Sequence, residues 1–156
     1  MTEPTLRSSH LFTLSLTVDP HMSDVGETPY GRRRIATVTG GTFAGEELKG
    51  TVLPSPGGDW LLLRRDGILQ LDVRLTLKTD DDHLIYMSYR GMRHGPAWVI
   101  EQLNKGEKVD PSQYYFRTTP YFETSSEKYS WMNRVCSIAR GSLSPNARTL
   151  DVFQVL

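Results

Sequence analysis

A strict alternation of apolar and polar residues between positions 69 and 78 constrains the fold more than any other feature of this chain. The segment Leu-Gln-Leu-Asp-Val-Arg-Leu-Thr-Leu-Lys places five aliphatic side chains on one face of an extended strand. The opposite face carries Gln70, Asp72, Arg74 and Thr76. This polar face either lies in water, with the leucines in a core, or lines a polar cavity that the sheet encloses, which would be a binding site.

Shorter apolar or alternating runs, bounded by turn residues, predict further strands along the whole chain. We expect them at 11–18, 33–39, 47–53, 60–64, 84–90, 114–118, 121–124, 135–142 and 149–155. Residues 19–31 contain two prolines and two glycines without periodicity and predict a long loop, and residues 96–104 predict one short peripheral helix. Successive strands at hairpin spacing favour a mostly β fold, either a closed antiparallel barrel or a sandwich.

Size and charge limit the classes of partner. A chain of 156 residues is long enough for one domain with a core, so we expect a single domain over 1–156. Its 18 basic and 18 acidic residues give a net charge of zero, and alternation splits the run 32–34 between two faces, so we expect no nucleic-acid partner. Since no apolar stretch approaches the ~18 residues of a membrane span, we expect no membrane partner either.

Several kinds of catalytic centre lack their motifs. Cys136 is the one cysteine, which excludes an intrachain disulfide or a multi-thiolate metal site and fits a cytoplasmic location. The four histidines are far apart, and no Gly-x-Ser-x-Gly motif is present, so the sequence favours neither a metal centre nor a serine hydrolase. We therefore expect a small-molecule ligand and no cofactor or metal.

An aromatic segment after the helix supplies candidate pocket walls and polar anchors. Seven aromatic residues occur between positions 114 and 131, interleaved with Arg117 and Glu123, and Asn133 follows them. Arg117 is suited to bind a carboxylate or enolate oxygen, and a buried Glu123 is suited to act as a general base. In the structural alternative the aromatic residues form the core and the charged residues pair at its rim.

These motifs together resemble the bacterial and fungal domain-of-unknown-function 3237 family from about residue 28 to the C-terminus. The resemblance implies a lipocalin-like β-barrel without an assured activity, and Asp82 departs from the glycine that the family has in that turn. The matching motifs are Gly31-Arg-Arg-Arg, Gly40-Gly-Thr-Phe-Ala-Gly45, Gly57-Gly-Asp-Trp60, Asp66-Gly67, Leu71-Asp-Val-Arg74, Tyr115-Phe-Arg117, Pro120-x-Phe-Glu-Thr124 and Tyr129-x-Trp-x-Asn133.

Two hypotheses use one set of residues. In the first, the protein is a cofactor-independent isomerase, hydratase or cyclase for a small carbonyl or aromatic-acid compound. Glu123 or Asp72 then moves a proton, while Arg74 and Arg117 stabilise negative charge on the substrate. The expected ligand-binding residues are Asp59, Trp60, Tyr86, Tyr115, Trp131 and Asn133. In the second, the protein is a non-catalytic carrier or sensor of a small acidic ligand.

A third interpretation concerns self-association. If the leucine face of residues 69–77 points outward, an exposed aliphatic surface of that size needs a partner, and a second copy of the chain is the natural one. A homodimer or a higher homo-oligomer is the corresponding expectation.

Overall fold

The leucine face of the alternating segment is buried. In the computed structural model, which describes residues 2–156, the segment forms the strand Leu69–Thr79, and Leu71, Val73, Leu75 and Leu77 are each at most 5% exposed. The polar side chains of this strand point away from the core. The interpretation in which they line an enclosed cavity is therefore wrong, and so is the outward leucine face that a self-association scaffold requires.

Within residues 2–156, ten strands make up one antiparallel sheet. They are β1 (Ser8–Val18), β2 (Ser23–Thr28), β3 (Gly31–Ala44), β4 (Lys49–Val52), β5 (Gly58–Leu63), β6 (Leu69–Thr79), β7 (Leu84–His94), β8 (Tyr115–Glu123), β9 (Ser137–Ser144) and β10 (Ala147–Val155). One α-helix, α1 (Ala97–Asn104), follows β7 and inserts the buried side chain of Val99. Two short 3₁₀ turns, Pro111–Gln113 and Ser130–Arg134, flank β8.

The sheet closes because β1 pairs with β10 on one side and with β3 on the other. Strands β4 and β5 follow one another between β3 and β6, so the ring has eight strand positions. Closure leaves no free edge around the ring. The predicted fold, a mostly β antiparallel barrel with one short helix, is confirmed.

The barrel interior is filled by side chains. Phe12 packs edge to face against Phe43 and Phe122, with ring centroids 5.5 and 5.8 Å apart. Alternation along β8 buries Phe116 and Phe122 and leaves Tyr115 exposed. Part of the aromatic segment therefore forms core, as the structural alternative predicted, and part of it lies on the outer surface.

Three predicted boundaries were wrong. Residues 23–28 of the expected loop form β2, a polar strand that hydrogen-bonds to β3. Strand β3 continues through Gly40 and Gly41 without a turn, because a Cβ at position 41 would lie 2.2 Å from the Ser15 carbonyl oxygen and only glycine permits this approach to β1. The two runs predicted at 114–118 and 121–124 form the single strand β8.

The face assignment can be tested by denaturation. Leu77 is fully buried and Leu84 is 55% exposed, although both are leucines on the β6–β7 hairpin. We expect Leu77→Ala to lower the free energy of unfolding by about 2–5 kcal/mol, because a cavity is left in the core. We expect Leu84→Ala to change it by less than about 1 kcal/mol. Urea denaturation followed by circular dichroism measures both values, and equal losses would contradict the assignment.

Candidate functional site

A groove of about 610 Å³ lies over the outer face of the sheet between β3 and β9. Most of the side chains around it alternate with the buried residues of their strands, so they point outward. A volume of this size is in the range that small-molecule sites occupy. Its lining residues are Arg33, Trp60, Leu62, Gln70, Leu71, Asp72, Arg90, Gly91, Met92, Tyr115, Arg117, Thr118, Thr119 and Ile138.

Cross-strand register explains why distant parts of the sequence meet in the groove. Residues directly opposite each other on paired strands share a face of the sheet. One row of opposed residues crosses five strands and a second row lies beside it. The first row is Arg33, Leu62, Gln70, Met92 and Arg117, and the second contains Asp72, Arg90 and Thr119.

The floor of the groove contains an interruption of the β5–β6 ladder. The ladder is broken between the pair Asp59–Val73 and the pair Leu62–Gln70. There the Asp72 backbone N–H donates to Asp59 Oδ1 at 3.2 Å, so a side chain replaces a main-chain acceptor. Asp59 is 4% exposed, and its burial raises the pKa of its carboxyl to about 6, against the lowering effect of this hydrogen bond.

Positive charge predominates on the groove walls. Arg33 Nη1 donates to the Trp60 carbonyl oxygen at 3.0 Å, and Arg117 Nη1 donates to the Phe116 carbonyl oxygen at 2.9 Å. Among residues 2–156, neither guanidinium has a carboxylate oxygen within 4.0 Å. Main-chain oxygens therefore orient both groups without neutralising their charge.

Asp72 is the one carboxylate among the lining residues. Its Oδ2 lies 3.8 Å from Arg90 Nη2, while the Arg90 side chain is 80% exposed. An ion pair at this distance and exposure contributes little to stability. Asp72 therefore keeps acceptor capacity that points into the groove.

Cations stacked on aromatic rings stabilise the apolar walls. The Arg74 guanidinium lies 5.4 Å from the Trp60 ring centroid, and that of Arg117 lies 5.4 Å from the Tyr115 ring centroid. The His94 ring also stacks on the Tyr115 ring, with ring centroids 4.9 Å apart. Such contacts hold flat rings in place, so both aromatic walls are oriented before any ligand binds.

The structure brings together only part of the predicted site. Asp72, Arg117, Trp60 and Tyr115 line the groove, and Arg74 borders it through the Trp60 ring. The other predicted residues lie elsewhere. Glu123 and Tyr86 face each other at the far end of the β7–β8 pair, Trp131 packs against the core, Asn133 hydrogen-bonds to the main chain of Thr124, and Asp59 lies inside the barrel.

Sequence reasoning missed several lining residues, among them Arg33, Arg90, Met92 and Ile138. Arg90 had a readable signal, because a hairpin that turns at Asp80–Asp82 places residue 90 opposite Asp72. Arg33 had none, since its approach to β8 depends on pairings between strands that are distant in the sequence.

Residues 2–156 contain neither a cluster of metal-binding side chains nor a membrane-spanning helix. No three His, Cys, Asp or Glu side chains lie close enough together in this range to bind a metal ion. The helix within the same range is too short to span a lipid bilayer.

Comparison with known proteins supports the architecture along nearly the whole chain. A UPF0311 protein of Rhodopseudomonas palustris is 34% identical over 153 residues, which are 98% of this chain and 99% of the relative. A UPF0311 protein of Clostridium acetobutylicum is 35% identical over 145 residues, 93% of this chain and 91% of the relative.

Solved structures of other proteins have the same fold. A conserved protein of unknown function from R. palustris superimposes with a TM-score of 0.93 at 34% identity, over 99% of this chain and 100% of that one. A β-barrel-like protein from Acinetobacter baumannii gives a TM-score of 0.85 at 37% identity, over 99% of both chains. An enzyme from Penicillium herquei has a TM-score of 0.73 at 22% identity, over 100% of this chain and 99% of that one, and shares the fold.

The family model described as "Protein of unknown function (DUF3237)" matches residues 6–155. The resemblance inferred from the sequence motifs is thereby confirmed, and the chain belongs to the DUF3237 family of β-barrel proteins.

Proposed function

We propose that this protein binds a small, flat, partly apolar compound that carries a carboxylate or enolate oxygen, in the groove on the outer face of the barrel. The observation that carries the proposal is the pair Arg33 and Arg117. Within the described residues 2–156, these two guanidinium groups have no carboxylate partner. They stand at opposite ends of one row of side chains, with Trp60 and Tyr115 beside them.

The charge of the ligand follows from the groove. Arg33, Arg90 and Arg117 outnumber the single carboxylate of Asp72, so an anionic group would offset the excess positive charge. A guanidinium whose orientation is fixed by a main-chain oxygen presents its remaining donors in a planar fork, which matches a carboxylate.

The body of the ligand follows from the apolar walls. The groove has apolar side chains between its charged residues, as small-molecule sites generally do. Flat rings at two positions favour an aromatic or alicyclic compound, which can stack on them. The apolar wall residues are Trp60, Leu62, Met92, Tyr115 and Ile138.

A second candidate function adds proton transfer to binding. Asp72 lies within the groove next to cations, so it is positioned to take a proton from a bound carbonyl compound while Arg117 stabilises the resulting enolate. Glu123 has no place in this scheme, because it is exposed at the other end of β8. Without proton transfer, the same groove serves a carrier or sensor.

Ligand binding can be tested with benzoate as a probe. We expect benzoate to shift the NMR signal of the Trp60 indole N–H. This signal is assigned by its absence from the spectrum of Trp60→Phe. Loss of a charge-assisted hydrogen bond is worth about 1.5–3 kcal/mol, so Arg117→Gln should weaken benzoate binding about 10- to 100-fold. Arg134→Gln, an exposed arginine in the 3₁₀ turn, is the matched control and should bind normally. Equal affinities of the two variants would contradict the proposal.

Proton transfer can be tested with phenylpyruvate in deuterated water. If Asp72 acts as a base, the protein accelerates exchange of the phenylpyruvate C3 protons for deuterium. Asp72→Asn should then lower the exchange rate by about 10²- to 10⁴-fold, while the variant still binds benzoate. Asp82→Asn, in the exposed turn between β6 and β7, is the control and should exchange like the parent protein. Benzoate binding without accelerated exchange would favour a carrier or sensor.

A further inference from the structure

Two arginines face the inside of the barrel and take no part in the groove. Arg93 on β7 lies opposite Leu69 and Phe116, and both of these residues pack into the core. Arg148 on β10 lies opposite Leu16 and Leu143, which also belong to or pack against the core. Since opposed residues share a face of the sheet, both guanidinium groups project into the barrel.

Neither interior arginine has an ion-pair partner. Among residues 2–156, no carboxylate oxygen lies within 4.0 Å of Arg93 or Arg148. The Arg93 Nε is fully buried and has no hydrogen-bond partner. Burial, and then the positive charge of Arg148 nearby, lowers the pKa of Arg93 to about 10. A buried cation without a partner destabilises a fold.

The surrounding groups leave this region positive and rich in donors. Asp59 is the carboxylate that interacts with both arginines, so one negative charge faces two positive charges. Burial, and then the charge of Asp59, raises the pKa of Tyr89, so its hydroxyl stays protonated. The Tyr114 hydroxyl accepts from the Leu143 N–H at 2.9 Å, and its own hydrogen remains available.

A second unpartnered polar atom lies on the same inner face. Thr118 is 1% exposed and its Oγ1 has no hydrogen-bond partner. It is the next inward residue along β8 after Phe116, which is opposite Arg93. Gly91 makes room for it, since a Cβ at position 91 would lie 2.6 Å from Thr118 Cγ2.

We propose that this end of the barrel interior is a second binding site, for a small oxyanion held between Arg93 and Arg148. The oxyanion is a carboxylate or a tetrahedral anion of the phosphate and sulfate class, because both give several acceptor oxygens to guanidinium donors. The site lies on the opposite side of the sheet from the groove and does not depend on the groove binding a ligand.

The position of the two arginines provides access from solvent. Arg93 stands at the end of β7, just before the segment that leads into α1, and Arg148 follows the β9–β10 turn. Neither side chain is fully buried. An oxyanion can therefore reach them at the barrel end without passing through the hydrocarbon interior.

Sulfate and acetate are the two probes for this site, each compared with chloride at equal ionic strength. We expect the more tightly bound probe to raise the Tm saturably, because a ligand of the folded state stabilises it. Arg148→Gln should weaken that response at least about 10-fold. Arg148→Lys, which keeps the charge if the glutamine variant folds poorly, should give a smaller loss. The tighter probe then identifies the anion class.

Two control variants separate this site from other effects. Arg134→Gln should respond to the anion like the parent protein. Arg117→Gln should also keep the full sulfate response while it loses benzoate binding, which distinguishes failure of this site from failure of the groove. The proposal is overturned if neither anion gives a saturable shift, or if Arg148→Gln and Arg134→Gln respond equally.

Anion affinity should fall as the pH rises through about 6, because Asp59 ionises there and adds negative charge to the site. The groups that act on this carboxyl are Asp72, through its N–H and its charge, together with Arg93, Arg148 and Tyr89. Sulfate keeps a constant charge between pH 5 and 8. Any change in sulfate affinity with pH, measured by calorimetric titration, therefore comes from groups of the protein. Asp59→Asn should flatten the pH profile, and an unchanged profile would remove Asp59 from the site.

Discussion

The hydrogen bond from the Asp72 N–H to the Asp59 carboxylate joins a residue that lines the outer groove to a residue inside the barrel. It occupies the point where the β5–β6 ladder is interrupted, and this ladder is part of the ring that closes the barrel. The same short segment places Trp60 in the groove and Asp59 inside. Burial of a carboxylate is costly, and the raised pKa of Asp59 reflects that cost. A main-chain partner and two nearby arginines offset part of it.

Because side chains alternate along each strand, the same strands form the groove with their outer face and the core with their inner face. The inner side chains of β6 from Leu71 to Leu77 are aliphatic and buried, whereas the outer side chains of β6 and β8 are polar or aromatic. Because the groove is on the outside, its arginines remain in contact with water and need no buried counter-ion. The two interior arginines, Arg93 and Arg148, lie near strand ends, where partial exposure lowers the cost of placing a charge inside the barrel.

Local periodicity and turn residues predicted the strand at 69–78 and the helix near 96–104, but they left a barrel and a sandwich open. The choice of the barrel came from the family resemblance. Periodicity shows which residues share a face, but it does not show which face is inside, and both faces of β6 were plausible. The strand β2 escaped prediction because Ser-Asp-Val-Gly-Glu-Thr has no apolar alternation. Hydrogen bonds to β3 and an ion pair between Asp24 and Arg32 hold it in place.

Separation along a strand explains why some predicted site residues do not meet. Glu123 shares the outer face of β8 with Arg117, but it lies six positions further along. At about 3.3 Å per residue, this places the two residues about 20 Å apart. Arg33 reaches the groove with Arg117 because consecutive pairings cross five strands at one level. Residues on a barrel wall therefore form a site when the pairing of the strands brings them to the same level of the barrel. A motif within one strand predicts which face of the sheet a residue occupies, but it does not predict that level.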